Sequence, residues 1–258
     1  MKITIVTPSF NQGHYIEDTI KSVLNQQGDF DLEYFVIDGG STDNTLEILK
    51  KYEDKLTWVS ESDNGQTHAI NKGLKNATGD IVAYINSDDL YVSGAFQNVV
   101  NFFQKYPEKN WAYGKCRIIN EQGKEIRKWI TTYKNLLLKR YSYNKLLTEN
   151  FVSQPATFWR RNLLDEIGYL DEDHHLVMDY EYWLRIGNKY DAGVISKYLA
   201  EFRWYTDSKS GTQFKNQFKE ELEMATKYAG KKKWTVRMHK FNYWKITGIY
   251  SILKKLKK

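Results

Sequence analysis

Ile81-Val82-Ala83-Tyr84-Ile85-Asn86-Ser87-Asp88-Asp89 joins a short apolar run to a polar run that ends in two carboxylates. An apolar run of that length between polar turns reads as a buried strand. Carboxylates at its carboxyl end are held rigidly, beside the crevice where open α/β sheets bind ligands. Hard oxygen donors of this kind suit Mg²⁺ or Mn²⁺, ions that bridge to phosphate oxygens. A plain polar turn closing a strand is the competing reading, and the rest of the chain decides between them.

Upstream, strand and helix signals alternate. Ile3-Thr4-Ile5-Val6 reads as a strand, and Ile16, Ile20, Val23 and Leu24 then recur at helical spacing. Glu33 to Ile37 reads as a second strand, and Asp43 stands where it can cap a helix carrying Leu46, Ile48 and Leu49. Leu56 to Ser60 is a third strand, and Ala69, Ile70, Gly73, Leu74 and Ala77 fit one face of the next helix. The alternation predicts an α/β fold, a mixed, mostly parallel sheet flanked by helices. After about residue 110 the pattern changes. Tyr113–Ile119 and Glu125–Ile130 flank a turn-rich stretch and predict a hairpin. Residues 131–150 read as helix and loop, Ala156–Trp159 and Leu199–Trp204 as strands, and Tyr180–Ile186 as a short helix. From Gln213 the pattern is helical, with Gly230 as a break.

The 258 residues and 41% hydrophobic content suffice for one large domain with a helical appendage. A single cysteine, Cys116, excludes an internal disulfide and a cysteine-cluster metal site, and fits a reducing compartment. The apolar start, Ile3 to Val6, is too short for a signal peptide, and no run is long enough to span a membrane. The net charge of +6 conceals an asymmetry. Residues 231–258 hold ten Lys and Arg and no Asp or Glu, against 28 basic and 32 acidic residues in the remainder. Trp234, Phe241, Tyr243 and Trp244 lie among those cations, which describes an interfacial helix on an anionic membrane. A helix packed on the rest of the chain with a solvated basic face is the alternative. No nucleic-acid motif accompanies the charge.

Three loops follow the first, second and fourth strands: Thr7-Pro8-Ser9-Phe10-Asn11-Gln12, Asp38-Gly39-Gly40-Ser41-Thr42-Asp43, and Asn86 to Asp89. In a parallel sheet they emerge on one edge, in an order suited to a base, a ribose and a metal-bound diphosphate. With Ala69-Ile70-Asn71-Lys72-Gly73 and Thr78-Gly79-Asp80, these stretches resemble the inverting glycosyltransferases of family 2, with the GT-A fold, over about residues 1–210. The resemblance implies that Phe10 packs on the nucleotide base, with Thr7, Pro8 and Ser9 beside it. It implies that Asp38 contacts the base and that Asp63 contacts the nucleotide. Asn86-Ser87-Asp88 matches the family's Asp-any-Asp motif with Asn first. Asp88 is then the direct ligand of Mn²⁺ or Mg²⁺, while Asn86 and Asp89 contact ribose, sugar or metal-bound water.

Downstream, Asp179 in Met178-Asp179-Tyr180-Glu181 matches the family's catalytic base, with Glu181 as the competing candidate. A positioned carboxylate there takes the proton of an acceptor hydroxyl, and a helix amino-terminus favours its ionised form. Gln154, His175 and Glu181 are expected at the acceptor. Related sequences often carry a metal-binding histidine where this chain has Tyr205, so the ion is expected to rely on Asp88, diphosphate and water. Arg203 and Lys209 are expected to stabilise the departing diphosphate.

The expected division is a catalytic GT-A domain over 1–210, nucleotide-binding to about 110 and acceptor-binding over 111–210, with a basic helical segment over 211–258. The expected activity is metal-dependent, inverting sugar transfer from a nucleoside-diphosphate donor, a UDP-sugar, to a hydroxyl of a glycan or lipid-linked acceptor in surface polysaccharide synthesis. The expected location is cytoplasmic, peripheral on the inner face of the cell membrane. The competing class is a non-catalytic subunit that binds a sugar nucleotide or glycan. A pyrophosphorylase is disfavoured, because its Gly-rich, Arg-containing first loop is absent.

Overall fold

The computed structural model describes residues 1–206 and 208–255, without the side chains of 209, 210, 246, 247 and 249–255. The elements run β1 (Lys2–Ser9), α1 (Ile16–Leu24), β2 (Asp31–Asp38), α2 (Thr45–Lys50), β3 (Thr57–Ser60), α3 (Gln66–Lys75), β4 (Ile81–Tyr84), β5 (Leu90–Tyr91), α4 (Ala95–Lys105) and β6 (Trp111–Ile119). There follow α5 (Lys128–Leu138), α6 (Tyr143–Thr148), a 3-10 turn at Gln154–Ala156, β7 (Thr157–Arg160), α7 (Asn162–Glu166), α8 (Met178–Gly187), β8 (Gly193–Arg203), α9 (Lys209–Thr212), α10 (Phe214–Ala229) and α11 (Lys233–Lys255).

One eight-stranded sheet has the order β3-β2-β1-β4-β7-β6-β8-β5. β1 pairs parallel with β2 and β4, β2 with β3, and β6 with β8, while β7 and β5 pair antiparallel. This is the mixed, mostly parallel sheet that the alternating pattern predicts. Every residue of β1 from Ile3 to Ser9 is buried, as helices on both faces require. Ile16, Ile20 and Val23 of α1 are fully buried, which is why that segment forms a helix with one apolar stripe. Registry sets the carboxyl ends of β1, β2 and β3 level, with Ser9 opposite Asp38 and Asp38 opposite Ser60.

The hairpin expected around residues 120–124 is a correction. Ile119 bridges Glu125 and the Ile126 N–H reaches the Ile118 carbonyl at 2.8 Å, but the chain then turns through a left-handed Arg127 (φ 51°) into α5. β8 begins at Gly193, well before the expected Leu199. The two-residue β5 pairs Leu90 with Glu201 and Tyr91 with Ala200, so the acidic loop is clamped between β4 and β8.

α8 is held by an aromatic cluster. Trp111 of β6 stacks on Trp183 at 5.7 Å with planes 10° apart, and Trp159 meets Trp183 edge-on at 5.5 Å. The carboxyl-terminal helices pack on this body. α10 buries Phe214, Glu221, Met224 and Ala225. On α11, His239 Nδ1 lies 3.0 Å from the Leu147 carbonyl, and the Asn242 amide donates to the Thr148 carbonyl at 3.0 Å. No described helix is long and apolar enough to cross a membrane.

Candidate active site

The loop between β4 and β5 presents one carboxylate and hides the other. Asp88 is partly exposed, whereas Asp89 has no exposed surface. Asp89 Oδ1 accepts the Arg203 backbone N–H at 2.9 Å, Oδ2 accepts the Asn86 amide at 3.3 Å, and its carbonyl accepts the Thr19 hydroxyl at 2.8 Å. Burial, with the charge of Asp88 alongside, pushes the Asp89 carboxyl well above the ordinary carboxylate range. Asp89 therefore fastens the loop and does not face a ligand, contrary to the sequence expectation.

Arg203 is a second correction. Its side chain is 2% exposed and its donors are committed inside the protein. Nε donates to the Asp88 carbonyl at 2.9 Å, and Nη1 donates to the carbonyls of Glu121 at 2.6 Å and Asn120 at 3.3 Å. Nη2 pairs with Asp18 at 3.6 Å, and the guanidinium lies over the Tyr15 ring at 4.9 Å. A guanidinium so enclosed holds the loop and has no free face for a diphosphate. The side chain of Lys209 lies outside the described residues. Tyr205 donates its hydroxyl to Asp88 Oδ2 at 3.0 Å, so the phenol that replaces the expected histidine touches the expected metal ligand. Burial and the Asp88 charge push its ionisation up, which keeps it a donor.

The first two loops meet beside this one. Thr7 is buried with its hydroxyl 3.1 Å from that of Tyr34, and Pro8 and Ser9 are buried too, so all three form the floor beneath Phe10. Phe10 is 60% exposed, so its ring stands outside the core and is open to a ligand. The next residue, Asn11, is left-handed (φ 52°) and pinned to the second loop, its N–H on Ser41 Oγ at 2.7 Å and its Oδ1 on the Thr42 N–H at 2.9 Å. Asp38 is fully buried. Its carboxylate accepts the Gly40 and Ser41 N–H groups at 3.1 and 2.8 Å and the Ser41 and Ser60 hydroxyls at 2.5 and 2.6 Å. Those bonds shape the loop, and with no exposed surface the carboxylate does not stand where the expected base contact would need it. Asp63 approaches Gly39 instead: a Cβ there would lie 2.9 Å from Asp63 Oδ2, so the carboxylate sits close against the glycine backbone.

The acidic loop and Asp179 are linked through consecutive residues at the start of α3. Gln66 donates its amide to Asn86 Oδ1 at 2.7 Å, and Thr67 donates its hydroxyl to Met178 Sδ, the neighbour of Asp179, at 2.8 Å. The Tyr84 hydroxyl, buried and without a hydrogen-bond partner, is pushed up by burial and by the charges of Asp179 and Asp89 together. Asp179 opens α8 and stays partly exposed. Burial raises its carboxyl, against the Tyr180 N–H at 2.8 Å and the charge of Lys134. Gln154 donates to the Tyr84 carbonyl at 2.7 Å, while its Oε1 is buried without a partner, so it stands at the junction of the two motifs.

Glu181 is a further correction. It is 2% exposed, paired with Arg185 at 2.8 Å and bonded by the Tyr228 hydroxyl, so it ties α8 to α10 and meets no acceptor. His175 is exposed and lines a cleft with Gln213, Asn216 and Lys219. Sequence reasoning missed Gln66, Thr67 and Lys134. Gln66 lies three residues after Asp63, and its place at a helix start was the available signal.

Among the described residues no three His, Cys, Asp or Glu side chains gather as a metal cage. The donor set still fits a hard ion of one kind. Mg²⁺ and its relatives use one or two carboxylates, retain waters and take phosphate oxygens from the ligand. Asp88, partly exposed and steadied by Tyr205, is such a carboxylate.

Comparison with known proteins places this geometry. Residues 4–168 match the family model described as Glycosyl transferase family 2, more than half of the chain. A protein of Mycobacterium tuberculosis named as an uncharacterized glycosyltransferase is 30% identical over 206 residues, covering 78% of this chain and 74% of its own. One of Rickettsia felis with a like name is 27% identical over 188 residues, covering 71% of this chain but 31% of its own, so this chain spans about a third of that relative. In fold, the crystal structure of S. aureus TarS 1-349 in complex with UDP-GlcNAc superposes with TM-score 0.69 at 19% identity, over 88% of this chain and 66% of that one. The mannosyltransferase PcManGT from Pyrobaculum calidifontis, in complex with GDP-Man and Mn²⁺, gives 0.62 at 18% identity, over 97% and 79%.

Proposed function

This chain belongs to glycosyl transferase family 2, and from that premise we propose that it moves a sugar from a nucleoside diphosphate, a UDP-sugar by preference, to a hydroxyl of a glycan or lipid-linked acceptor, with inversion. The observation that carries the proposal is the pair of bonds from Gln66 and Thr67, which tie the Asp88 loop and the Asp179 turn to the same first turn of α3. Phe10 supplies an exposed ring for the base, and Asp63 with the Gly39-Gly40 turn borders the nucleotide. Asp88 would hold a divalent cation, with Asn86 beside it, and that ion when bound would neutralise the diphosphate.

Asp179 takes the proton of the acceptor hydroxyl. The freed oxygen attacks the anomeric carbon from the far face, and the bond to the diphosphate oxygen breaks with its electron pair. A carboxyl raised by burial is the better proton acceptor for that step. A UDP-sugar is supported by the fold shared with a UDP-GlcNAc complex at the higher TM-score, against a GDP-Man complex at the lower one, and metal use by the Mn²⁺ in that second complex. The division into a catalytic body over 1–210 and a basic helical segment over 211–258, a role in surface polysaccharide synthesis, and residence on the inner face of the membrane belong to the same proposal. They are supported by the sheet domain and the acid-free cationic terminus.

Asp179→Asn tests the assignment. It should keep the thermal stabilisation given by UDP-sugars with Mn²⁺ and lose roughly 10²- to 10⁴-fold in turnover. Near-normal turnover removes Asp179 as the base. Stabilisation by sugar nucleotides with no transfer by the wild-type chain to any hydroxyl acceptor would favour a binding subunit.

A further inference from the structure

Nine large apolar side chains stand exposed among the described residues, and six of them sit on two helices. They are Trp129, Tyr133 and Leu136 on α5 and Trp234, Phe241 and Trp244 on α11, from 39% exposed at Tyr133 to 70% at Trp234. Spacings of four and three on α5, and of seven and three on α11, put each set on one helix face. The opposite face of α11 carries His239 and Asn242, which hold it to the end of α6. The two helices adjoin, since the Lys245 ammonium lies over the Tyr133 ring at 5.6 Å.

Charge follows the same division. Residues 126–148 hold six Lys and Arg and residues 231–258 hold ten, with no Asp or Glu in either segment. The rest of the chain keeps 22 basic residues against 32 acidic ones. The acid bordering this surface, Glu149, accepts the Tyr133 hydroxyl at 2.8 Å. Aromatic side chains interleaved with cations are the composition of a face that lies in a headgroup layer. A second copy of this chain would set cations against cations across a two-fold interface, and lysine is depleted from protein interface cores.

We propose that α5 and α11 form one continuous face that seats the protein on an anionic lipid bilayer, and that the acceptor is therefore lipid-linked. α5 contributes to both sides of this arrangement. Its outer stripe meets lipid, while the charge of Lys134 on the same helix reaches Asp179. The lipid class of the acceptor rests on the reading of Asp179 as base, whereas the bilayer contact does not.

The test is co-sedimentation of the full chain with vesicles of equimolar phosphatidylglycerol and phosphatidylcholine, against phosphatidylcholine alone. Binding to the anionic vesicles is expected, weakened by salt. W129S/L136S and W234S/F241S/W244S should each lower the partition coefficient by roughly tenfold or more. Both variants change exposed side chains, so melting temperature and UDP-sugar stabilisation should stay as in the wild type. An α5 variant that sediments like the wild type overturns the proposal, as does equal binding to neutral vesicles. Light scattering that shows lipid-free dimers broken by the same variants overturns it in favour of self-association. If no sugar nucleotide stabilises the wild type, the transferase reading fails while the vesicle result stands on its own.

Discussion

Arg203 carries the acidic loop, because one side chain holds the Asp88, Asn120 and Glu121 carbonyls and pairs with Asp18. Arg203→Met leaves three carbonyls without their donor, at about 1–3 kcal/mol for each acceptor left unpaired, or about 3–5 kcal/mol together. For a chain of this size that lowers the melting temperature by roughly 10 °C, read by scanning calorimetry. If Arg203 served the diphosphate instead, the melting temperature would hold and the Michaelis constant for the donor would rise. The exposed placement of Phe10 and the partly exposed placement of Asp88 were legible in the sequence, because positions after strands fix where side chains emerge. Asp38, Asp89, Glu181 and Arg203 were misassigned for a common reason. A sequence shows that a charge exists, but not whether backbone groups already occupy its lone pairs or protons. Asp38 has four internal donors and Arg203 three internal carbonyls, and no spacing rule announces either.

α3 starts both bonds that join the two halves of the site, so its seat on β1 matters. Gly73 makes that seat: a Cβ there would fall 2.4 Å from Val6 Cγ1 on a fully buried strand. Helix propensity alone favours alanine over glycine by about 1 kcal/mol. Overpacking a rigid core costs about 1–3 kcal/mol and wins here, so Gly73→Ala should lower stability in urea unfolding. A rise in the unfolding midpoint would show that α3 has room to move. The first four strands and their helices were readable because apolar period and turn residues agree at each step. The segment around 120–130 was not. Its apolar residues suit a second strand, yet the left-handed Arg127 ends the pairing after one bridge, and α5 follows with a mixed polar and aromatic face.

At the scale of the whole molecule, the carboxyl-terminal helices are built into the body that carries the site. Glu221 of α10 is 6% exposed and bonded by the Asn150 amide at 3.3 Å and the Gln217 amide at 3.4 Å. It faces Asp179 and Tyr180 from α8 and Lys134 from α5. Burial first, then the Asp179 charge, pushes its carboxyl up from 4.5 to about 7. Below pH 4.5 folded and unfolded chains both hold the proton, and Glu221 makes no difference to stability. Between pH 4.5 and 7 the unfolded chain gives up its proton while the folded chain keeps it, so stability falls as pH rises, and above pH 7 the loss is complete. The shift corresponds to an upper limit of about 3 kcal/mol. Glu221→Gln keeps the shape and an amide oxygen for Asn150, and lacks the proton equilibrium. Urea unfolding should therefore give the variant nearly wild-type stability at pH 4 and about 1–3 kcal/mol more than wild type at pH 8. Equal stability of the two proteins at pH 8 would mean that water reaches Glu221, and that α10 does not pack closely on α8 there.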